Sequence, residues 1–130
     1  MRIAQIREQD VVNGEGIGVS LFVQGCTHHC YKCFNQEAWD FNLGVQFTDK
    51  LKERFIKLCA NPYVDFISFL GGEPLDQPLG IYETIQELIK NDINKPIYLW
   101  TGYKWEDILK SKSKMDVMNC IDYLIDGAIS

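Results

Sequence analysis

Hydrophobic and polar positions along the chain alternate between two rhythms. From Ile17 to Val23, Ile17, Val19, Leu21 and Val23 fall on one face, the two-residue period of a strand. The run Val64-Asp65-Phe66-Ile67-Ser68-Phe69-Leu70 is rich in β-branched and aromatic residues and stops at Gly71-Gly72, which reads as a second, mostly buried strand. Ile97-Tyr98-Leu99-Trp100, after Pro96 and before Thr101-Gly102, reads as a third. Ile121 to Ile125, ending at Asp126-Gly127, reads as a fourth, and Arg2 to Arg7 as a weaker edge strand. Between them the period lengthens to that of a helix. Thr48 is placed to cap a helix carrying Leu51, Phe55, Leu58 and Cys59 on one side. Pro78 suits the first turn of another that turns Ile81, Tyr82, Ile85, Leu88 and Ile89 inward and stops near Asn91. A shorter helix is expected from about Trp105 to Lys110. Strands alternating with helices imply βαβ units and a mainly parallel sheet, an α/β fold.

The positions of the unusual loops follow from that fold. The segment starting at Cys26 comes directly after the first strong strand, Gly71-Gly72-Glu73-Pro74 after the second, and Thr101-Gly102-Tyr103 after the third; Asp126-Gly127 ends the fourth. Strand C-termini of a parallel sheet share one side, where active sites collect. Four loops are therefore expected to face one another there.

At 130 residues the chain has room for about one domain, 1–130. A hydrophobic share of 46% and a charged share of 24% are those of a globular protein. The N-terminus lacks the pattern of a secretion signal, and the longest apolar stretch is too short to span a bilayer. With 13 basic against 18 acidic residues the net charge is −5, and the one basic cluster is Lys110-Ser111-Lys112-Ser113-Lys114. Nucleic-acid binding is disfavoured, because neutralising phosphate requires a basic face. Five cysteines without a secretion signal point to a reducing compartment, where clustered cysteines bind metals or catalyse.

Three of the five fall within eight residues, Cys26-Thr27-His28-His29-Cys30-Tyr31-Lys32-Cys33. Their spacing lets one loop turn three thiolates toward one point. A structural zinc site needs four ligands, usually as two C-x-x-C pairs. Zinc with His28, His29, Cys59 or Cys120 as fourth ligand stays open on spacing alone. The other reading is a [4Fe–4S] cluster with one iron lacking a protein ligand.

The C-x-x-x-C-x-x-C arrangement resembles the radical S-adenosylmethionine (SAM) superfamily. The neighbouring segments narrow the resemblance: Val12-Asn13-Gly14-Glu15-Gly16, Leu21-Phe22-Val23-Gln24-Gly25-Cys26, Phe34-Asn35, Ala38-Trp39, Gly71-Gly72-Glu73-Pro74-Leu75, Leu99-Trp100-Thr101-Gly102-Tyr103 and Leu124-Ile125-Asp126-Gly127. Together, in order from about residue 11 to residue 127, they are similar to the anaerobic ribonucleotide reductase activating proteins.

The resemblance implies a small partial (β/α) barrel of radical SAM type, with Cys26, Cys30 and Cys33 holding a [4Fe–4S] cluster whose open iron takes the amino and carboxylate groups of SAM. It implies that Gly71 and Gly72 let the backbone approach SAM closely and that Glu73 offers a carboxylate suited to its ammonium group. Lys32 and Phe34, flanking Cys33, are expected at the nucleoside, with Phe34 suited to stack on adenine. Thr101 and Gly102 are expected at the ribose or methionine part. His28 and His29 read as loop residues rather than ligands, Trp39, Trp100 and Trp105 as core or interface, and Cys59 and Cys120 as structural thiols.

The implied activity is reductive cleavage of SAM by an electron from an external donor. The resulting 5′-deoxyadenosyl radical would take a hydrogen from a glycine of anaerobic ribonucleoside-triphosphate reductase, in an anaerobic cytoplasm and without nucleic-acid or membrane partners. The rivals are another radical SAM enzyme and a non-enzymatic zinc or iron–sulfur module. Two departures stand out: Gly18 occupies a place where relatives often carry arginine, and the chain stops at Ser130 where relatives usually continue, so it reads as naturally short or truncated.

Overall fold

A computed structural model describes residues 1–11, 16–25 and 44–126. Six strands form one sheet: β1 (Arg2–Asp10), β2 (Gly18–Val23), β3 (Val45–Gln46), β4 (Phe66–Gly71), β5 (Ile97–Trp100) and β6 (Tyr123–Ile125). Their order is β3-β1-β2-β4-β5-β6. The pairs β2–β4, β4–β5 and β5–β6 are parallel, and β1 pairs antiparallel with both β2 and β3. The mixed α/β fold with a largely parallel sheet is the one expected, and its alternation of strands and helices matches a partial (β/α) barrel.

The helices are α1 (Asp49–Ala60), α2 (Pro78–Lys90), α3 (Trp105–Ile108) and α4 (Lys112–Met118), with a short 3₁₀ turn over Pro74–Asp76. Thr48 caps α1, its hydroxyl accepting from Leu51 N–H at 3.3 Å, and Pro78 sits in the first turn of α2. Phe55, Ile56 and Cys59 of α1 and Ile81, Ile85 and Leu88 of α2 are buried against Val19, Leu21, Val23, Ile67, Phe69, Ile97 and Leu99. Those seven strand residues alternate along β2, β4 and β5, so they define one face of the sheet.

The other face carries Gly18, Ser20, Phe66, Ser68, Tyr98 and Tyr123. Phe66 meets Tyr98 edge-on at 5.6 Å, and Tyr98 stacks on Tyr123 at 4.7 Å. Gly18 makes room for this row: a Cβ there would lie 2.2 Å from the Phe66 ring. The space beside Gly18 is thus taken by an aromatic ring.

Four expectations are revised. The N-terminal strand runs on to Asp10 and is not the edge, since β3 pairs outside it at Arg2 and Ile3. Ile89 is 51% exposed; Thr84 takes an inward position instead, its hydroxyl donating to Gly80 O at 2.8 Å. The helix after Trp105 ends at Ile108, and α4 follows it, started by the Ser111 hydroxyl accepting from Lys114 N–H. The fourth strand begins at Tyr123 rather than Ile121.

Candidate functional site

The C-terminal ends of β2, β4, β5 and β6 lie side by side, and the loops leaving them are joined by hydrogen bonds. The last β2–β4 pair is Val23 with Gly71. Gly71 has φ +111°, and a Cβ on it would meet the Val23 amide nitrogen and carbonyl oxygen at 2.7 Å. Only glycine combines that dihedral with so close an approach. One residue on, Gly72 N–H donates to Val23 O at 2.9 Å, and Glu73 N–H donates to Gly25 O at 2.7 Å. The Gly71-Gly72-Glu73 loop therefore lies along the chain that enters Cys26.

The stem of the cysteine segment is pinned on several sides. Gln24 N–H donates to Arg2 O at 3.0 Å, and Gln24 O accepts from the Gln77 side-chain amide at 2.8 Å. The Gln77 amide oxygen accepts from Arg2 N–H at 3.0 Å. At the far end of the segment, Gly44 O accepts from the Arg2 guanidinium at 2.8 Å, and a Cβ on Gly44 would meet the Gln24 side chain at 3.1 Å. Residues 25 and 44 thus leave and rejoin the fold at the same corner.

Glu73 is 1% exposed. Its Oε1 accepts from Gly102 N–H at 2.7 Å, and its Oε2 accepts from the Thr101 hydroxyl at 2.8 Å and from Leu75 N–H at 2.9 Å. Thr101 Oγ1 in turn accepts from Tyr103 N–H at 3.1 Å, and Thr101 N–H donates to Ile125 O at 3.0 Å. The Tyr103 hydroxyl bonds the Asp76 carboxylate, and Lys114 lies over the Tyr103 ring at 4.6 Å. The structure thus brings Gly71, Gly72, Glu73 and Thr101 together beside Gly25. Cys26, Cys30, Cys33, Lys32 and Phe34 lie outside the described residues, as do His28, His29, Trp39 and Gly127.

Trp100 and Trp105 are 37% and 41% exposed, so neither is a core residue. Cys59, on the inward side of α1, is fully buried, and burial pushes the pKa of its thiol up to about 12. Cys120 is half-buried, its thiol donating to Asp116 O and accepting from the Gln86 amide; burial raises its pKa. Cys59 ends a helix that leads into β4, and Cys120 precedes β6, so both sit at the strand-start end, away from the Cys26 stem. Among the described residues no group of three or more His, Cys, Asp or Glu side chains could hold a metal ion. A cavity of about 410 Å³ lined by Glu8, Ile17, Leu58, Tyr63 and neighbours opens at the same strand-start end.

Sequence reasoning passed over a buried polar chain on the face opposite the helices. The Ser20 hydroxyl bonds the Asp10 carboxylate, and Ser20 and Ser68 hydroxyls are 2.7 Å apart; all three residues are buried. The available signal was the polar residue at matching inward positions of two apolar strands, paired in register as Ser20 and Ser68.

The segment leaving β2 carries three cysteines. Sulfur donors suit iron–sulfur clusters, and the glycine cradle at Gly71 leaves backbone, not side chain, beside the stem of the cysteine segment. A family model described as a 4Fe-4S single cluster domain matches residues 12–130, so fold and motif together define a single-cluster iron–sulfur protein. The chain is 38% identical to the anaerobic ribonucleoside-triphosphate reductase-activating protein of Haemophilus influenzae, over 98% of this chain and 83% of that protein. It is 34% identical to the protein of that name from Salmonella typhi and 33% identical to the one from Enterobacteria phage T4, over 98% of this chain and 84% and 80% of theirs. The chain belongs to the family of anaerobic ribonucleoside-triphosphate reductase-activating proteins. No helix among the described residues is long and apolar enough to cross a membrane.

Proposed function

We infer that this chain is a radical SAM activase that generates a glycyl radical on anaerobic ribonucleoside-triphosphate reductase. Cys26, Cys30 and Cys33 hold its [4Fe–4S] cluster. Bound there, the cluster supplies one-electron cleavage of SAM to methionine and a 5′-deoxyadenosyl radical, which takes a hydrogen atom from a glycine Cα of the reductase to leave 5′-deoxyadenosine and the glycyl radical. The electron comes from an external one-electron donor.

The observation that carries the reading is the bond from Glu73 N–H to Gly25 O, which sets the Gly-Gly-Glu loop against the residue before the first cysteine. In this reading the chain's own groups bind and orient. The Gly71-Gly72 backbone receives the methionine end of SAM, Thr101 its ribose or methionine part, and Lys32 and Phe34 the nucleoside. Backbone N–H and C=O groups suit an amino-acid ligand, which presents a carboxylate and an ammonium on adjacent atoms. No side chain is needed as a general acid or base, because the reaction moves a hydrogen atom rather than a proton.

The test is electron paramagnetic resonance on anaerobically reconstituted, dithionite-reduced protein. A reduced-cluster signal that changes shape on adding SAM, followed by an organic radical signal when the reductase is added, is the expected result. Alanine at Cys26, Cys30 or Cys33 should abolish both. Iron-free protein, or a cluster indifferent to SAM, would return the zinc or electron-transfer module to first place.

A further inference from the structure

The family resemblance implies a Glu73 carboxylate aimed at the SAM ammonium group, yet both of its oxygens accept hydrogen bonds from this chain itself. Two of the donors are backbone N–H groups, of Gly102 and Leu75, which can only donate. A third is the Thr101 hydroxyl, whose oxygen already accepts from Tyr103 N–H and so turns its hydrogen toward Glu73. The main-chain N–H of Glu73 holds Gly25 O. One residue therefore ties together the entry to the cysteine segment, the turn over Pro74–Asp76 and the loop after β5. Through Thr101 N–H and Ile125 O the tie reaches the end of β6.

We propose that Glu73 is a positioning residue: its buried carboxylate straps the loop after β4 to the loop after β5, so that the Gly71-Gly72 backbone and the stem at Gly25 keep a fixed spacing. The proposal rests on the activase reading only in naming SAM as the ligand that the spacing serves. Both carboxylate oxygens are needed as acceptors, one facing Gly102 and the other facing Leu75 and Thr101. An amide cannot replace them: whichever way the side chain of a Glu73→Gln variant turned, its NH₂ would meet an N–H or O–H that needs an acceptor. A buried donor left without an acceptor is strongly disfavoured.

Glu73→Gln is therefore the informative change, with Thr101→Val as a second variant that removes one donor and leaves the carboxylate. The first measurement is amide hydrogen exchange on the reconstituted protein, followed on peptides covering residues 73–77 and 100–104. At least tenfold faster exchange of the Leu75 and Gly102 amides in Glu73→Gln is expected, with unchanged exchange in α1. The second measurement is binding of SAM and of a SAM analogue lacking the amino group. A strap predicts that Glu73→Gln weakens both ligands by the same factor, about tenfold. Loss confined to the amino-bearing ligand, with exchange unchanged, would overturn the proposal and make Glu73 a direct ammonium contact. Should the glutamine variant fail to fold, Thr101→Val alone decides: faster exchange at Gly102 supports the strap and unchanged exchange refutes it. If the parent protein bound no SAM, the activase reading would fall, while the exchange measurement would still decide whether Glu73 holds the two loops.

Discussion

Replacing Gly71 by alanine should be among the most damaging single changes in the sheet, and its cost can be worked from two independent features. The residue sits at φ +111°, where a side chain costs about 1–3 kcal/mol. Its Cβ would also lie 2.7 Å from both the amide nitrogen and the carbonyl oxygen of Val23. These are backbone atoms of the neighbouring strand and cannot swing aside, so overpacking adds about 1–3 kcal/mol. Together about 4 kcal/mol is expected, a large part of the ~5–15 kcal/mol by which a small domain is stable. With a urea slope of about 2 kcal/mol per molar, the unfolding midpoint should fall by about 2 M at unchanged slope. Equilibrium urea unfolding followed by circular dichroism reads this directly. Gly80→Ala is the comparison: its Cβ would lie 2.8 Å from Met1 Cβ, so the N-terminal residue must shift, but alanine is the better helix former by about 1 kcal/mol. A midpoint shift under about 0.5 M for Gly71→Ala, a quarter of that expected from the slope, or one no larger than that of Gly80→Ala, would refute the claim that β2 and β4 close tightly at this point.

Gly18→Ala should cost about 1–3 kcal/mol by pressing on the Phe66 ring, and much of that loss should return in the Gly18→Ala, Phe66→Leu double variant; strict additivity in the urea cycle would speak against direct contact. Cys59 gives a pH signature. Burial raises its pKa from the ordinary 9.0 to about 12, so the folded state favours the neutral thiol. Its contribution is whole below pH 9 and is lost as the pH climbs from 9 to 12, by up to about 4 kcal/mol at roughly 1.4 kcal/mol per unit. Burial lowers the pKa of Lys95, which works in the opposite direction, and the Cys59 thiolate raises it, so removing Cys59 adds to the difference between parent and variant in the same sense. Cys59→Ala should therefore unfold less steeply across that alkaline window, and parallel curves for the two proteins would contradict the burial argument.

Much of this architecture was legible because the strongest elements carry their own stop and start signals. β2, β4 and β5 show an apolar face or run bounded by turn residues, and α1 and α2 begin at Thr48 and Pro78 as their caps suggest. What stayed hidden depends on partners far away in sequence. β3 is two exposed residues that become a strand only because Arg2 and Ile3 lie beside them. β1 continues through the polar Glu8-Gln9-Asp10 with register shifts and a positive φ at Gln9, so no simple alternation marks it. The Lys-Ser-Lys-Ser-Lys run disguised α4, whose apolar contribution comes from Met115, Val117 and Met118. At the site, parallel topology was enough to bring the loops together. The direction of the Glu73 carboxylate was not, since its partners at 101 and 102 are nearly thirty residues away.

The division between the two faces of the sheet explains why polar groups are buried in so small a protein. The helix-covered face is almost wholly apolar and supplies the hydrophobic term, which dominates folding. Each net hydrogen bond adds only about 1 kcal/mol, whereas a buried donor or acceptor deprived of its partner costs about 1–3 kcal/mol. Asp10, Ser20 and Ser68 on the opposite face, and Glu73 with Thr101 at the strand ends, therefore contribute less to total stability than to choosing one arrangement. A slip of β2 against β4 by one residue would separate Ser20 from Ser68 and carry Val23 away from Gly71. The same slip would displace Gly25 from Glu73. The polar bonds thus penalise misregister where a small error matters most, at the stems from which the site is built.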